Sequence, residues 1–158
     1  MAAQAFLKIE GIKGASTDAK HAGEIDVEAF SWGLTQSGPS GGGAGGGAGK
    51  ASFSDFSFVT RSTAASPQLF LACASGQHLK EAVLTARRPG AAAVEFLKVT
   101  FTDVLISAYE ESGSADTTGD SVSFNFAKIK FEFTPTAAKG TTGAPVSAGW
   151  DLKANKKV

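Results

Sequence analysis

Hydrophobic and polar residues alternate with a period of two along most of this chain. The segments with this pattern are rich in Val, Ile, Phe and Thr, and clusters of Gly, Ser, Asp and Pro separate them. Strands at this spacing indicate a sandwich or a barrel, and a length of 158 residues suits a single domain, 1–158. The predicted strands are Gln4–Glu10, Glu24–Leu34, Ser52–Thr60, Lys80–Arg88, Val94–Tyr109, Ser121–Thr134 and Val146–Leu152.

Three of these segments change the parity of their apolar residues partway along. In Ser121–Thr134, Phe124 and Phe126 give way to Ile129 and Phe131. A change of parity within a strand indicates a β-bulge or a strong bend, and repeated bends in long strands allow a sheet to close into a small barrel. We therefore favour a closed barrel over pairs of short strands. The other two segments are Glu24–Leu34 and Val94–Tyr109.

One helix is predicted over about 66–76. Ser66 is the expected N-cap, Pro67 suits the first helical position, and Gly76 suits the end. Helical spacing gives this segment one apolar face, made of Leu69, Phe70, Ala72 and Cys73. Three segments are predicted as loops: Gly14–Gly23, the glycine-rich stretch at about 36–50, and a hairpin tip over Ser112–Asp120.

Charge and composition exclude several functions. Lys plus Arg and Asp plus Glu each number 15, so the net charge is zero, which disfavours nucleic-acid binding and only weakly opposes self-association. The single cysteine, Cys73, excludes a disulfide framework. The longest apolar run, Leu69–Ala74, is too short to span a membrane. Because the first residues lack a basic stretch followed by an apolar one, we expect no signal peptide and folding in the cytosol.

No enzyme motif is complete. The glycine tract satisfies G-x-G-x-x-G but lacks the strand and helix that a nucleotide site needs on either side. His21 and Asp18 form a possible catalytic or metal pair, but we interpret His21 as a turn histidine and His78 as a residue at the helix end. The residues alone therefore predict a binding or structural protein without catalytic, cofactor or metal sites.

Several segments together resemble the haemolysin-coregulated protein family, the tube protein of bacterial type VI secretion. The segments are AFLKIEGIKGASTDAKHAGEIDV, FSWGLTQSG with its glycine tract, FSFVTRSTAASPQLFLACASGQH, FNFAKIKFEFTP and AGWDLKANK. Each segment is a weak match by itself, but five matching segments in the same order over nearly the whole chain are specific to the family. Ala15 departs from the pattern, since an acidic residue is common there in the family.

The resemblance implies a mainly β fold, a small closed barrel of two curved antiparallel sheets with one flanking helix. It also implies hexameric rings that stack into a tube, which a contractile sheath expels with a spike protein at the tip. The partners are then other copies of the chain, spike, sheath and small effectors carried in the lumen. Such a protein leaves the bacterial cytoplasm without a signal peptide. The alternatives are a monomeric small-ligand barrel with the glycine-rich loop as a lid, and a hydrolase using His21 and Asp18.

Two sets of residues follow as candidate sites. After the parity change in Glu24–Leu34, the apolar residues Phe30, Trp32 and Leu34 take the core face, so Ser31 and Gly33 point away from the core and are expected to face cargo. Ser123 and Asn125 are the second choice for that surface. The extended loop is expected to contact a neighbouring protomer or ring through Gly38, Pro39, Gly41, Gly42, Gly43, Gly45, Gly46, Gly47 and Lys50.

Overall fold

A computed structural model describes residues 4–38, 49–89, 94–135 and 143–158. The described residues form eleven strands and one helix. No helix among them is long and apolar enough to cross a membrane. The elements in chain order are β1 (Gln4–Ile9), β2 (Ile25–Val27), β3 (Ala29–Ser31), β4 (Leu34–Gln36), β5 (Ala51–Phe53), β6 (Phe56–Arg61), α1 (Ala65–Ser75), β7 (His78–Arg87), β8 (Glu95–Gly113), β9 (Thr118–Phe133), β10 (Val146–Asp151) and β11 (Lys156–Lys157).

The strand pairings run in a closed circuit. Strand β1 pairs with β7, β7 with β8, β8 with β9, β9 with β6 and β6 with β3, all antiparallel. Strand β2 pairs with β1, and only Glu28 separates β2 from β3. The Glu28 N–H donates to the Val59 carbonyl at 2.8 Å, so the chain passes from one end of the sheet to the other. The mainly β class with one helix is confirmed.

All strands of the circuit belong to one continuous antiparallel sheet. Nine strands share it, because β8 and β9 are long enough to run through both halves of the molecule. Beyond the circuit, β10 pairs with β9 and β11 pairs with β10. Strands β4 and β5 form a separate hairpin. Leu34 was predicted to lie on the core face, and this was wrong: it belongs to that hairpin and is 53% exposed.

A bend crosses three neighbouring strands at one level. Burial passes from Phe101 to Val104 in β8, and from Phe126 to Ile129 in β9, as the parity changes predicted. These changes lie opposite each other, since Val104 pairs with Phe126. The bend is accommodated at Asp103, which has a φ of 57°, a left-handed conformation that Asp tolerates better than most residues. Strand β7 bends at the same level, with burial passing from Leu79 to Ala82.

Phenylalanine rings fill the centre of the circuit. The ring of Phe56 lies 4.9 Å from those of both Phe101 and Phe124, and Phe101 lies 4.8 Å from Phe126. All but Phe126 are fully buried, and they come from three strands that are adjacent in the sheet. Close-packed aromatic rings of this kind contribute both buried area and specific geometry to the core.

The helix begins differently from the prediction. Ala64, not Ser66, is the N-cap and makes no side-chain cap hydrogen bond, although Thr63 Oγ1 accepts from the Ala65 N–H at 3.1 Å. Ser66 lies in the first turn, where its Oγ accepts from the Thr63 N–H at 3.0 Å and donates to Asp120. The predicted end is confirmed, since Gly76 adopts a φ of 65°.

Only part of the predicted apolar helix face is buried. Leu69 and Ala72 are buried against the core and Cys73 is half-buried, but Phe70 is 58% exposed. Phe70 was therefore wrongly assigned to the core; its ring meets the edge of Tyr109 at 6.3 Å on the surface of β8.

Candidate functional site

A row of serine hydroxyls crosses the outer face of strands β3, β6 and β9. Ser31 pairs with Ser57, and Ser57 pairs with Ser123. The Ser57 and Ser123 Oγ atoms are 2.8 Å apart, and Ser31 is exposed at the end of the row. Neighbouring residues on one strand face opposite ways, and Phe30 stacks on buried Phe56 at 6.0 Å. Ser31 therefore points away from the core.

Small polar side chains continue along this face on β9. Ser121 and Asn125 share the side of Ser123 and are exposed. Gly33, predicted to accompany Ser31, lies beyond the end of β3 in the turn to β4. The Gly33 carbonyl accepts from the Ser54 N–H at 2.9 Å and from Ser54 Oγ at 3.0 Å, so this turn is held against the segment before β6. We call Ser31, Ser57, Ser121, Ser123 and Asn125 the serine face.

The base of the glycine-rich loop is a short hairpin. Strands β4 and β5 pair from Leu34–Phe53 to Gln36–Ala51. The Gly38 N–H donates to Gln36 Oε1 at 3.0 Å. A Cβ at Gly49 would stand 2.9 Å from that oxygen and 3.3 Å from the Gly38 nitrogen, so the two ends of the loop meet closely. The predicted contact residues Pro39, Gly41, Gly42, Gly43, Gly45, Gly46 and Gly47 lie outside the described residues.

Lys50 follows this base and is exposed on a cleft of about 300 Å³ beside the bend of β8. His78 and Lys153 line the same cleft. Both contact Asp103: His78 Nδ1 lies 2.9 Å from Oδ1 and Lys153 Nζ lies 3.4 Å from Oδ2. The hydrogen bond from His78, followed by that from Lys153, lowers the pKa of Asp103. His78 was expected at the helix end, but its partner is this carboxylate.

His21 and Asp18 do not form a catalytic pair. The His21 ring is buried, stacks on Phe6 at 4.4 Å, and has Nδ1 2.9 Å from Glu24 and Nε2 2.8 Å from Glu95. The Asp18 carboxylate instead binds both Nη atoms of Arg87. The hydrogen bond from Arg87 lowers the pKa of Asp18.

These contacts fasten the loop after β1 to strands β7 and β8, so the turn-histidine interpretation fits the geometry. Within the described part of the chain, no group of three or more His, Cys, Asp or Glu residues is arranged to hold a metal ion.

Sequence reasoning missed Asp120, a buried carboxylate of β9 that lies beside the first turn of the helix. Asp120 accepts hydrogen bonds from Ser66, from Ser62 Oγ at 3.0 Å and from the Tyr109 hydroxyl at 3.1 Å. Burial, followed by the hydrogen bond to Asp120, raises the pKa of Tyr109. A signal was present, because Asp120 has the same parity as Val122 and therefore belongs to the core face of β9.

Comparisons with known proteins agree with this architecture. Residues 6–133 match the family model described as type VI secretion system effector, Hcp. The chain is 42% identical to the protein hcp1 of Pseudomonas aeruginosa over 98% of both chains. The crystal structure of Hcp1 from Salmonella typhimurium superposes with a TM-score of 0.84 at 37% identity, covering both chains fully. A structure described as a type six secretion system protein reaches a TM-score of 0.91 at 28% identity, covering 99% of this chain and 100% of the other.

Proposed function

Because the chain belongs to the Hcp family of type VI secretion proteins and is a structural component of the secretion tube, we propose that it assembles into hexameric rings and that these rings stack. The observation that carries self-assembly is an exposed apolar strip where β9 pairs with β10. Phe131 and Phe133 are 36% and 38% exposed there, and Val146 opposite Phe133 is more exposed still. Contiguous exposed apolar surface of this kind marks an interaction site.

The zero net charge supports the same proposal. A molecule without net charge has little long-range repulsion to overcome when many copies come together. Both features therefore favour association: the apolar strip attracts other copies, and the zero net charge leaves little electrostatic repulsion between them.

Sedimentation velocity and light scattering test the ring directly. We expect a mass close to six times the 16.1 kDa of the chain, and images with six-fold rings around an open centre. A monomer throughout the micromolar range would contradict the ring and would favour the monomeric small-ligand barrel with the glycine-rich loop as its lid.

We further propose that the serine face, with Gly33 beside it, lines the lumen and holds cargo. Its side chains are small, leave room for a passenger, and offer hydroxyl and amide groups for hydrogen bonds. Ser31→Gln should reduce retention of a small effector and preserve the hexamer, because Ser31 makes no core contact. Ser147→Gln, a matched change at an exposed serine of β10, should leave retention unchanged. Equal retention by all three proteins would remove Ser31 from the cargo surface and leave Ser123 and Asn125 as the candidates.

The extended loop Gln36–Lys50 is proposed to contact a neighbouring protomer or a stacked ring. Its glycines lose much conformational entropy on ordering, so each contact is weak alone and gains strength by repetition around a ring. Deleting Gly41–Gly47 should leave the barrel folded and impair stacking or secretion. Stacking that survives the deletion unchanged would make the loop a spacer.

The remaining partners follow from the same function. We propose that the tube contacts a spike protein and a contractile sheath, carries small effectors, works without catalysis or cofactor, and leaves the bacterial cytoplasm through the type VI machine. A strain with an inactive sheath should retain the protein inside the cell, whereas the parent strain should release it. Release from both strains would contradict this route.

A further inference from the structure

The cleft beside the bend of β8 is basic around a single carboxylate. Lys50, His78 and Lys153 line it, and Asp103 is the one acidic group among its lining residues. Its lining also includes the apolar residues Phe126 and Leu152. Outside the cleft, Lys156 and Lys157 of β11 are both exposed, and Lys156 lies opposite Asp151 of β10. The cleft therefore has a surplus of positive charge, of which one carboxylate neutralises only a part.

Negative charge lies at the far end of β8, the strand whose bend borders the cleft. Strands β8 and β9 project as a hairpin whose turn is Ser114–Thr117, and it carries the exposed carboxylates Glu110, Glu111 and Asp116. Within the described part of the chain, none of the three lies within ion-pair distance of a cation.

The two charged regions are too far apart to neutralise each other within one molecule. Along β8, Asp103 and the first of the carboxylates, Glu110, are seven residues apart, which corresponds to about 23 Å of strand. Screening in physiological salt takes effect over about 8 Å. The zero net charge of the chain therefore conceals an acidic end and a basic cleft, each of which can be satisfied by another copy.

We propose that the acidic β8–β9 hairpin of one copy docks against the basic cleft of a second copy. This inference rests on the proposed self-assembly and adds which surfaces meet. The contact joins two different surfaces of identical chains, and contacts of this type either close into rings or continue as stacked filaments. Because the groups are exposed, the contact steers and aligns the copies and is weakened by salt.

Charge reversal in the full-length chain tests this contact. Asp116→Lys and Lys50→Glu change exposed side chains at the hairpin and at the cleft, and neither group is buried. Each single variant should raise the concentration needed for assembly about threefold to tenfold, as sedimentation velocity measures it. The double variant should recover assembly to near the parent level, because the opposite charges then face each other again. Glu10→Lys, an exposed reversal elsewhere, is the matched control and should have no effect.

The outcomes separate this inference from the proposed function. A parent protein that assembles, with both single variants assembling equally well, overturns the docking contact and leaves the tube intact. The docking contact is also overturned if each single variant assembles poorly and the double variant does not recover. Assembly then depends on the charge of each site separately and not on a contact between the two sites. A parent protein that stays monomeric overturns both. Folding of each variant is checked by its far-ultraviolet circular dichroism and melting temperature.

Discussion

Strand β9 carries phenylalanines at alternate positions on both sides of its bend, yet the two halves differ in burial. Before the bend, Phe124 and Phe126 are buried: Phe124 lies between β8 and β6, and Phe126 packs against Phe53 and Phe101. After the bend, Phe131 and Phe133 remain more than one third exposed and β9 lies between β8 and β10. The residue type and the alternation are the same, and Ile129, which pairs with Trp150 of β10, is still buried, so the side chains opposite make the difference.

The two neighbours bring different side chains to the same sheet face. Strand β6 brings Phe56 and Phe58, whose rings lie 4.9 Å and 6.5 Å from Phe124. Strand β10 brings Val146 and Ala148, which are both exposed. Alternation thus determines which face a side chain takes, whereas the size and number of the side chains opposite determine whether water is excluded. The exposed half is the one available to a second copy of the chain.

The largest expected effect contrasts one phenylalanine from each half. Phe124→Ala should lower the free energy of unfolding by about 3–5 kcal/mol, because it leaves a cavity among packed rings. Phe133→Ala should lower it by about 1 kcal/mol, because water already reaches that ring. Urea unfolding followed by tryptophan fluorescence measures both, at a concentration where both variants have the same oligomeric state. Equal losses would show that the exposed half contributes to the core as much as the buried one.

A polar residue provides the second contrast on β9. Asp120→Ala should cost about 1–3 kcal/mol, because the hydroxyls of Ser62, Ser66 and Tyr109 lose their acceptor in a buried site. Glu132→Ala, in the exposed half of the same strand, should change stability by less than about 0.5 kcal/mol. The same unfolding experiment applies. A loss below 0.5 kcal/mol for Asp120→Ala would mean that water takes the place of the carboxylate.

Local alternation was enough to predict most of the strands and two of the coincident bends. It missed the third bend, in β7, because the residue that resumes the core face is Ala82, whose small side chain gives a weak apolar signal. The Gly76 end of the helix was predictable because a left-handed residue there needs only local backbone geometry. The start of the helix was not predictable, because Ser66, a good cap by residue type, lies inside the first turn and donates to Asp120, 54 residues further along the chain.

Parts of the candidate surfaces were predictable for the same reason. The outward direction of Ser31 follows from alternation with Phe30, but its alignment with Ser57 and Ser123 depends on strand pairing across 66 residues. Likewise, the sequence singled out His21 and gave no reason to join it to Glu95, 74 residues away. Pairing partners of this kind become visible only when the sheet brings distant strands together.

The smallest expected effect concerns the ion pair between Asp18 and Arg87, the last residue of β7. The hydrogen bond from Arg87 lowers the pKa of Asp18 below its ordinary value of 3.8, so folding favours the ionised carboxylate. The pair therefore stabilises the fold at pH above about 3.8, and this contribution is lost as the pH falls through the lowered native pKa.

Melting temperatures of the parent and Asp18→Asn proteins should differ at pH 6 and converge as the pH falls below 3.8. Glu10→Gln, at an exposed position after β1, controls for the loss of one negative charge. A parent–Asp18→Asn difference that stays constant down to pH 2 would mean that the Arg87 contact contributes nothing through ionisation.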